Sequence, residues 1–188
     1  MFRFVRFNSF LTAALVLSLV AGCRTKPDEA DKKDQKDKKE KKEATVIELH
    51  MEADLDGTSD NLPVTVGNDA TIRVNVEKHP FLDGGDLDRA DVVVDTDGSF
   101  AIRLKFKRRG MELLDTMTSF YPGKRVAVFC RFGAGLEHNR YIAAPVMRRP
   151  ISNGVFTFAP STSREDADRI VRGLNSIAEQ IKKDDTFP

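Results

Sequence analysis

Residues 141–154 are YIAAPVMRRPISNG, strand-forming residues interrupted by Pro145 and Pro150. Proline has no N–H for a strand ladder and is confined to edges, bulges and strand starts. The run is therefore expected to bend twice before the Asn153-Gly154 turn and the short β-rich stretch VFTFA at 155–159. A sheet that tolerates such a run must present an edge where it passes.

Working outward, GKRVAVFCRF at 123–132 is apolar on both faces, as a central strand is. Upstream, DVVVD (91–95) passes through Asp97-Gly98 into FAIRLKFKRR, a strong hairpin signal. In the second arm Phe100, Ile102, Leu104 and Phe106 share one face; Arg103, Lys105 and Lys107 share the other. TVIELHMEA (45–53) and TIRVNV (71–76) alternate in the same way, the latter with Ile72, Val74 and Val76 inward. Helical spacing appears twice. Met111, Leu114, Met117 and Thr118 form one stripe, stopped by Pro122-Gly123. Ala167, Ile170, Val171, Leu174, Ile177, Ala178 and Ile181 form the other, opened by a capping arrangement at Ser163-Arg164-Glu165-Asp166. These elements predict an α+β two-layer sandwich, with a mixed or mostly antiparallel sheet and two main helices packed on one face. The domain is expected over residues 44–182, with 183–188 as a tail.

The first 22 residues form an export signal: Arg3 and Arg6, an apolar run from Phe10 to Ala21, then small residues. That run is short for a membrane span. Leu19-Val20-Ala21-Gly22-Cys23 resembles the lipobox of bacterial lipoproteins, and the resemblance implies cleavage before Cys23 and acylation of its thiol. Two or more acyl chains anchor stably, so the protein is expected to sit on a bilayer without crossing it. Residues 24–43, RTKPDEADKKDQKDKKEKKE, hold nine basic and seven acidic residues and no large apolar side chain. They suit a solvated tether of on the order of 25 Å, either a simple spacer or one whose lysines touch anionic headgroups or cell-wall polymer. Arg24 stands after the cysteine instead of the aspartate that holds some lipoproteins at the inner membrane. By that analogy the outer membrane, facing the periplasm, is favoured over the inner. The full chain carries +1; without residues 1–22 it has 28 basic and 29 acidic residues. Nucleic acid is not an expected partner.

Candidate chemistry is thin. Asp95-Thr96-Asp97-Gly98 starts like an EF-hand loop but lacks the later carboxylates. Asp83-Gly84-Gly85-Asp86 suits a turn into a short helical cap at Asp86. Gly123-Lys124 lacks the upstream glycines of a phosphate loop. His50, His79 and His138 lie far apart, each expected at the surface, and Cys130 suits a small buried hydrophobe. No catalytic residue, metal site or cofactor is expected.

From about Ile72 to Asn175 the order of motifs resembles the head subdomain in the first periplasmic domain of SecD and SecDF, membrane components that assist Sec-dependent export. The matching residues are Lys78-His79-Pro80-Phe81-Leu82, Asp86-Leu87-Asp88-Arg89-Ala90, Phe100-Ala101-Ile102-Arg103-Leu104, Gly123 to Val128 and, most specifically, Ile142 to Gly154. The prolines then let one segment leave a hairpin strand, cross the sheet edge and enter the next strand. Two departures stand out: the hairpin FGAGLEHNR (132–140) is long for the family, and Arg149 replaces a common acidic residue. The 188 residues offer no run for the transmembrane bundle through which SecD uses the proton gradient, so that mechanism is not expected. The resemblance implies a non-catalytic module contacting extended polypeptide or Sec components, with Val146, Met147, Arg148, Arg149 and Ile151 as candidate contacts. The alternative is a structural envelope lipoprotein that binds cell-wall polymer or a fixed protein partner.

Overall fold

The computed structural model describes residues 44–54, 60–67 and 72–184. The signal, Cys23, the tether and residues 185–188 lie outside them. Among the described residues nine strands and two helices follow the order β1 (Val46–Met51), β2 (Asn61–Val66), β3 (Ile72–Glu77), β4 (Leu82–Asp83), β5 (Leu87–Val94), β6 (Phe100–Phe106), α1 (Arg108–Phe120), β7 (Val126–Phe132), β8 (His138–Ala143), β9 (Val155–Phe158) and α2 (Arg164–Asp184). The α+β sandwich expected from the sequence is the class observed. Its strands divide between a six-stranded sheet, β3-β2-β8-β7-β1-β4, and a three-stranded sheet, β5-β6-β9. Pairing is antiparallel except where β2 meets β8 in parallel at Val66 and Tyr141.

Alternation decides what each strand buries. Ile47, Leu49 and Met51 of β1 are fully buried in the main core, with Val126, Val128, Cys130 and Phe132 of β7. Ile102, Leu104 and Phe106 of β6 and Phe156 and Phe158 of β9 close that core from the smaller sheet. The central strand β7 is apolar on both faces because Ala127 serves a second cluster, formed with Val64, Val66, Val74, Val76 and Ala144. The β2–β3 hairpin supplies four of those residues by curling over the second face of the large sheet. Its far strand returns to β1, where Ala53 N–H donates to Asn75 O at 2.8 Å and Glu52 bridges Val76.

Strand β2 contains Pro63, paired with Asn75. The Lys78 N–H to Asp60 O bond of 2.8 Å sets the ladder's phase. By alternation, residues 60, 62, 64 and 66 bond to β3, and Pro63 turns its bare nitrogen away. The proline therefore removes no ladder bond.

Helix α1 buries Gly110, Leu114 and Thr118 on one stripe. It begins two residues before Gly110 and runs two beyond Thr118, further than the apolar spacing reaches. In α2 the Ser163 hydroxyl accepts from Asp166 N–H at 3.1 Å, the cap the sequence signals. Ala167, Ile170, Leu174 and Ala178 are buried beneath it. Burying side chains such as Ile170 and Leu174 contributes about 1.5–3 kcal/mol each. At the start of the smaller sheet, Asp83 caps a 3-10 turn over Gly84–Asp86 by accepting from Gly85 N–H at 2.7 Å. Asp86 is buried, and its carboxylate accepts from Arg109 at 3.1 Å.

Candidate functional site

The crossing segment does what its prolines require. Strand β8 ends at Ala143, and the chain then lies along the entry to β7. Val126 N–H donates to Pro145 O at 3.0 Å, Met147 N–H to Lys124 O at 2.8 Å, and Gly123 N–H to Met147 O at 2.8 Å. Val146 bridges Arg125, whose guanidinium donates to Ala144 O at 2.9 Å. Thus Pro145 contributes its carbonyl and is not asked for an N–H. Four residues past Met147, Ile151 N–H donates to the Thr118 hydroxyl at 2.9 Å, and that hydroxyl donates to Leu114 O at 2.7 Å. The segment is thereby fixed first to the large sheet and then to α1. It enters the smaller sheet at Gly154, whose carbonyl accepts from Phe106 N–H at 3.0 Å.

These anchors sort the five candidate contacts. Arg148 and Arg149 are exposed on the stretch between Met147 and Ile151, and neither has an ion-pair partner among the described residues. Val146 is 36% exposed. Met147 corrects the expectation: it is 6% exposed and belongs to the main core, because the bend at Pro145 turns it inward as its backbone pairs with Lys124 and Gly123. Ile151 is half-buried against the same core. Three of the five therefore face outward.

Two further exposed side chains were not legible in the sequence pattern. Phe120 is 76% exposed and Tyr121 37%, at the end of α1. Because Met147 is bonded to Gly123 and Ile151 to Thr118, residues 148–150 pass beside this last helical turn. Phe120 stands about 200° around the helix from Thr118, off the buried stripe. That mismatch, an aromatic pair outside the apolar spacing, was the available signal. Lys124 lies 5.3 Å from the Tyr121 ring centre and is paired with Asp54 at 2.9 Å. Phe120, Tyr121, Val146, Arg148 and Arg149 are all exposed, and the two arginines have no ion-pair partner among the described residues.

The other residues singled out in the sequence have structural surroundings. Asp95 accepts from Thr96 N–H at 2.7 Å and Asp97 from Ser99 N–H at 2.8 Å, both within the β5–β6 turn. The Ser99 hydroxyl, together with the Ser99 N–H, holds the Asp97 carboxyl below its usual range. His79 is exposed and His138 stacks on Phe132 at 4.8 Å. His50 is not at the surface. It is 4% exposed, and its Nδ1 donates to Glu77 O at 2.9 Å, tying β1 to β3. Its Nε2 lies 3.6 Å from Glu48, beside Tyr141, whose hydroxyl is pushed above its usual range by burial and by Glu48. Cys130 is buried, and desolvation pushes its thiol up to about 12. Among the described residues no three His, Cys, Asp or Glu side chains are grouped to hold a metal ion, and no helix is long and apolar enough to cross a membrane.

Known structures share this architecture. The chain superposes on a structure described as "Structure and function of a membrane component SecDF that enhances protein export", with TM-score 0.52 and 20% identity over 71% of this chain and 63% of that one. It also superposes on a crystal structure of SecDF in the super-membrane-facing form, with TM-score 0.52 and 21% identity over 70% of this chain and 19% of that one. The chain thus spans less than two thirds of either structure. No curated protein matches it. Residues 60–178 match the family of the SecDF P1 head subdomain, a span that runs from the β2–β3 hairpin through the crossing segment into α2. On that match, the chain belongs to the SecDF P1 head subdomain family.

Proposed function

We propose that the chain is an envelope lipoprotein, anchored through acylated Cys23, whose SecDF-head domain is a non-catalytic protein-binding module working with protein export. The observation that carries this reading is the crossing segment. Its backbone is fixed at Pro145, Met147 and Ile151, so Val146, Arg148 and Arg149 are displayed with little backbone left to order on binding a partner. Membership of a family whose solved members include a membrane component that enhances protein export supports the link to that process. The charged stretch 24–43 is then a spacer, and the head works at a membrane surface, the periplasmic face of the outer membrane being favoured.

Two measurements test the two halves. Mass spectrometry of the mature N-terminus should find acylated Cys23; an unmodified thiol or a retained leader overturns the anchor. Photocrosslinkers at Val146 and Arg149 should capture an exporting chain or a Sec component, and an empty result at both overturns the binding module.

A further inference from the structure

The His50 imidazole is buried with its polar surroundings incomplete. It is 4% exposed, and its Nε2 has no hydrogen-bond partner. Nδ1 lies 2.9 Å from Glu77 O on β3, and Nε2 lies 3.6 Å from Glu48 Oε2. Both ring nitrogens therefore face oxygens, a carbonyl on one side and a carboxylate on the other, and neither oxygen has a proton to give. A neutral imidazole carries one proton. With it on Nδ1, the Nε2 lone pair is buried against a carboxylate. With it on Nε2, the Nδ1 lone pair meets a carbonyl at 2.9 Å and the tie from β1 to β3 is lost. The doubly protonated ring serves both oxygens, with the added strength of a charged donor.

Burial opposes an imidazolium, so the charges around it decide. On β1, Glu48 divides its oxygens: Oε1 lies 3.8 Å from Arg131 of β7, and Oε2 is left to His50. Glu52, on the same face of β1, is committed to Arg125 N–H at 2.7 Å. Opposite His50, β7 places Ala127, which has no charge. Strand β8 brings Tyr141, its ring edge-on and 5.8 Å away, with a hydroxyl that burial and Glu48 keep protonated. At the end of β3 the Glu77 carbonyl belongs to an acidic residue, with Lys78 next in the chain. Glu48 is thus the charge aimed at Nε2.

We propose that His50 is a proton-operated clasp on the β2–β3 hairpin: the imidazolium, held between Glu77 O and Glu48, keeps the hairpin shut, and loss of the Nε2 proton to water loosens it. In a lifted hairpin water serves either nitrogen of a neutral ring, so opening no longer depends on the second proton. Closure is therefore favoured on the acid side and weakens as pH climbs through the histidine range, between about pH 5 and 8. The clasp rests on the fold and stands or falls independently of what the domain binds.

The test uses the purified full chain with isotope-labelled histidine, His79 and His138 serving as exposed and stacked references. Nuclear magnetic resonance should find His50 protonated on both ring nitrogens near about pH 5 and on Nδ1 alone near about pH 8. Amide exchange at Val64 and Val74, corrected for its intrinsic pH dependence and referred to the β7 amides, should quicken about tenfold across that range. Glu48→Gln supplies a side-chain N–H that can bond the bare Nε2 of a neutral ring, so in that variant the hairpin should stay slow at both ends of the range. A neutral ring carrying its proton on Nε2, or a ring with one proton throughout, overturns the proposal. Equal corrected exchange at both ends in the natural chain also overturns it. The same quickening in Glu48→Gln overturns it by making another group the switch.

Discussion

The side-chain amide of Asn175 takes both backbone groups of Ala90: its oxygen accepts from Ala90 N–H at 2.8 Å, and its nitrogen donates to Ala90 O at 2.9 Å. A helix residue thus stands where a neighbouring strand would, sealing the outer edge of β5. Seven residues on, Lys182 donates to Asp88 O at 3.1 Å and pairs with its carboxylate at 2.7 Å, holding that carboxyl below its usual range. Open edges invite pairing with other chains.

Asn175→Ala leaves both Ala90 groups without partners in a partly buried place. It should lower the unfolding free energy by about 2–3 kcal/mol, read as a lower urea midpoint at unchanged slope. Asn175→Asp should not restore it, because one carboxylate oxygen then faces the Ala90 carbonyl. A loss under about 0.5 kcal/mol in both variants would show that α2 seals the edge by packing alone.

Thr118 pins the crossing segment through one hydroxyl that accepts from Ile151 and donates to Leu114. Thr118→Val keeps the shape and removes both bonds, at about 1–3 kcal/mol. Hydrogen exchange at the Ile151 amide should accelerate more than at the β7 amides. Thr118→Ser should restore the slow exchange. Equal exchange in the Val and Ser variants would refute the pin.

Two glycines on the same path separate conformation from space. Gly123 has φ 85° with nothing within 4 Å of a built Cβ; Gly154 has φ 67° and a Cβ there would meet Met111 Cβ at 2.9 Å. Gly123→Ala should cost about 1 kcal/mol, the ordinary left-handed penalty. Gly154→Ala should cost clearly more, since α1 must also move. Equal melting temperatures for the two variants would contradict the close approach.

The Cys130 thiol, pushed up to about 12 by burial, should resist thiol reagents at pH 8 in the folded protein and react on unfolding. In the acylated chain one thiol should then titrate; two would mean that Cys23 is free. The sign for stability follows. The unfolded thiol ionises from about pH 9 while the folded one stays protonated until about 12, so this group removes stability as pH climbs through that window. Cys130→Ala should flatten that part of the stability profile.

What could be read from the sequence was local. Strands β1, β6 and β7, the stripes of both helices and the twice-bent crossing follow from periodicity and proline chemistry within a dozen residues. Strand β2 was not legible, because Pro63 masks it and only Val64 and Val66 are buried. The division into two sheets depends on which distant strands pair, and period-2 alternation fixes a face without fixing a partner. Ile72, expected inward, is 39% exposed because it lies at the outer end of its strand. The candidate surface was half legible. The arginine pair was visible as charge, whereas the inward turn of Met147 and the exposure of Phe120 depend on how the segment docks on Lys124 and Thr118.

The curled β2–β3 hairpin has a separate consequence. Its apolar residues form their own small cluster, apart from the main core. Among its ties to the body are the Tyr141 carbonyl, the end of β1 and the His50 imidazole. Such a leaf should lift before the body melts, read as faster hydrogen exchange at the Val64 and Val74 amides than at those of β7. Each lift bares Ala127 and Ala144, so this face of the large sheet carries a concealed sticky strip that stress or partial proteolysis would uncover first.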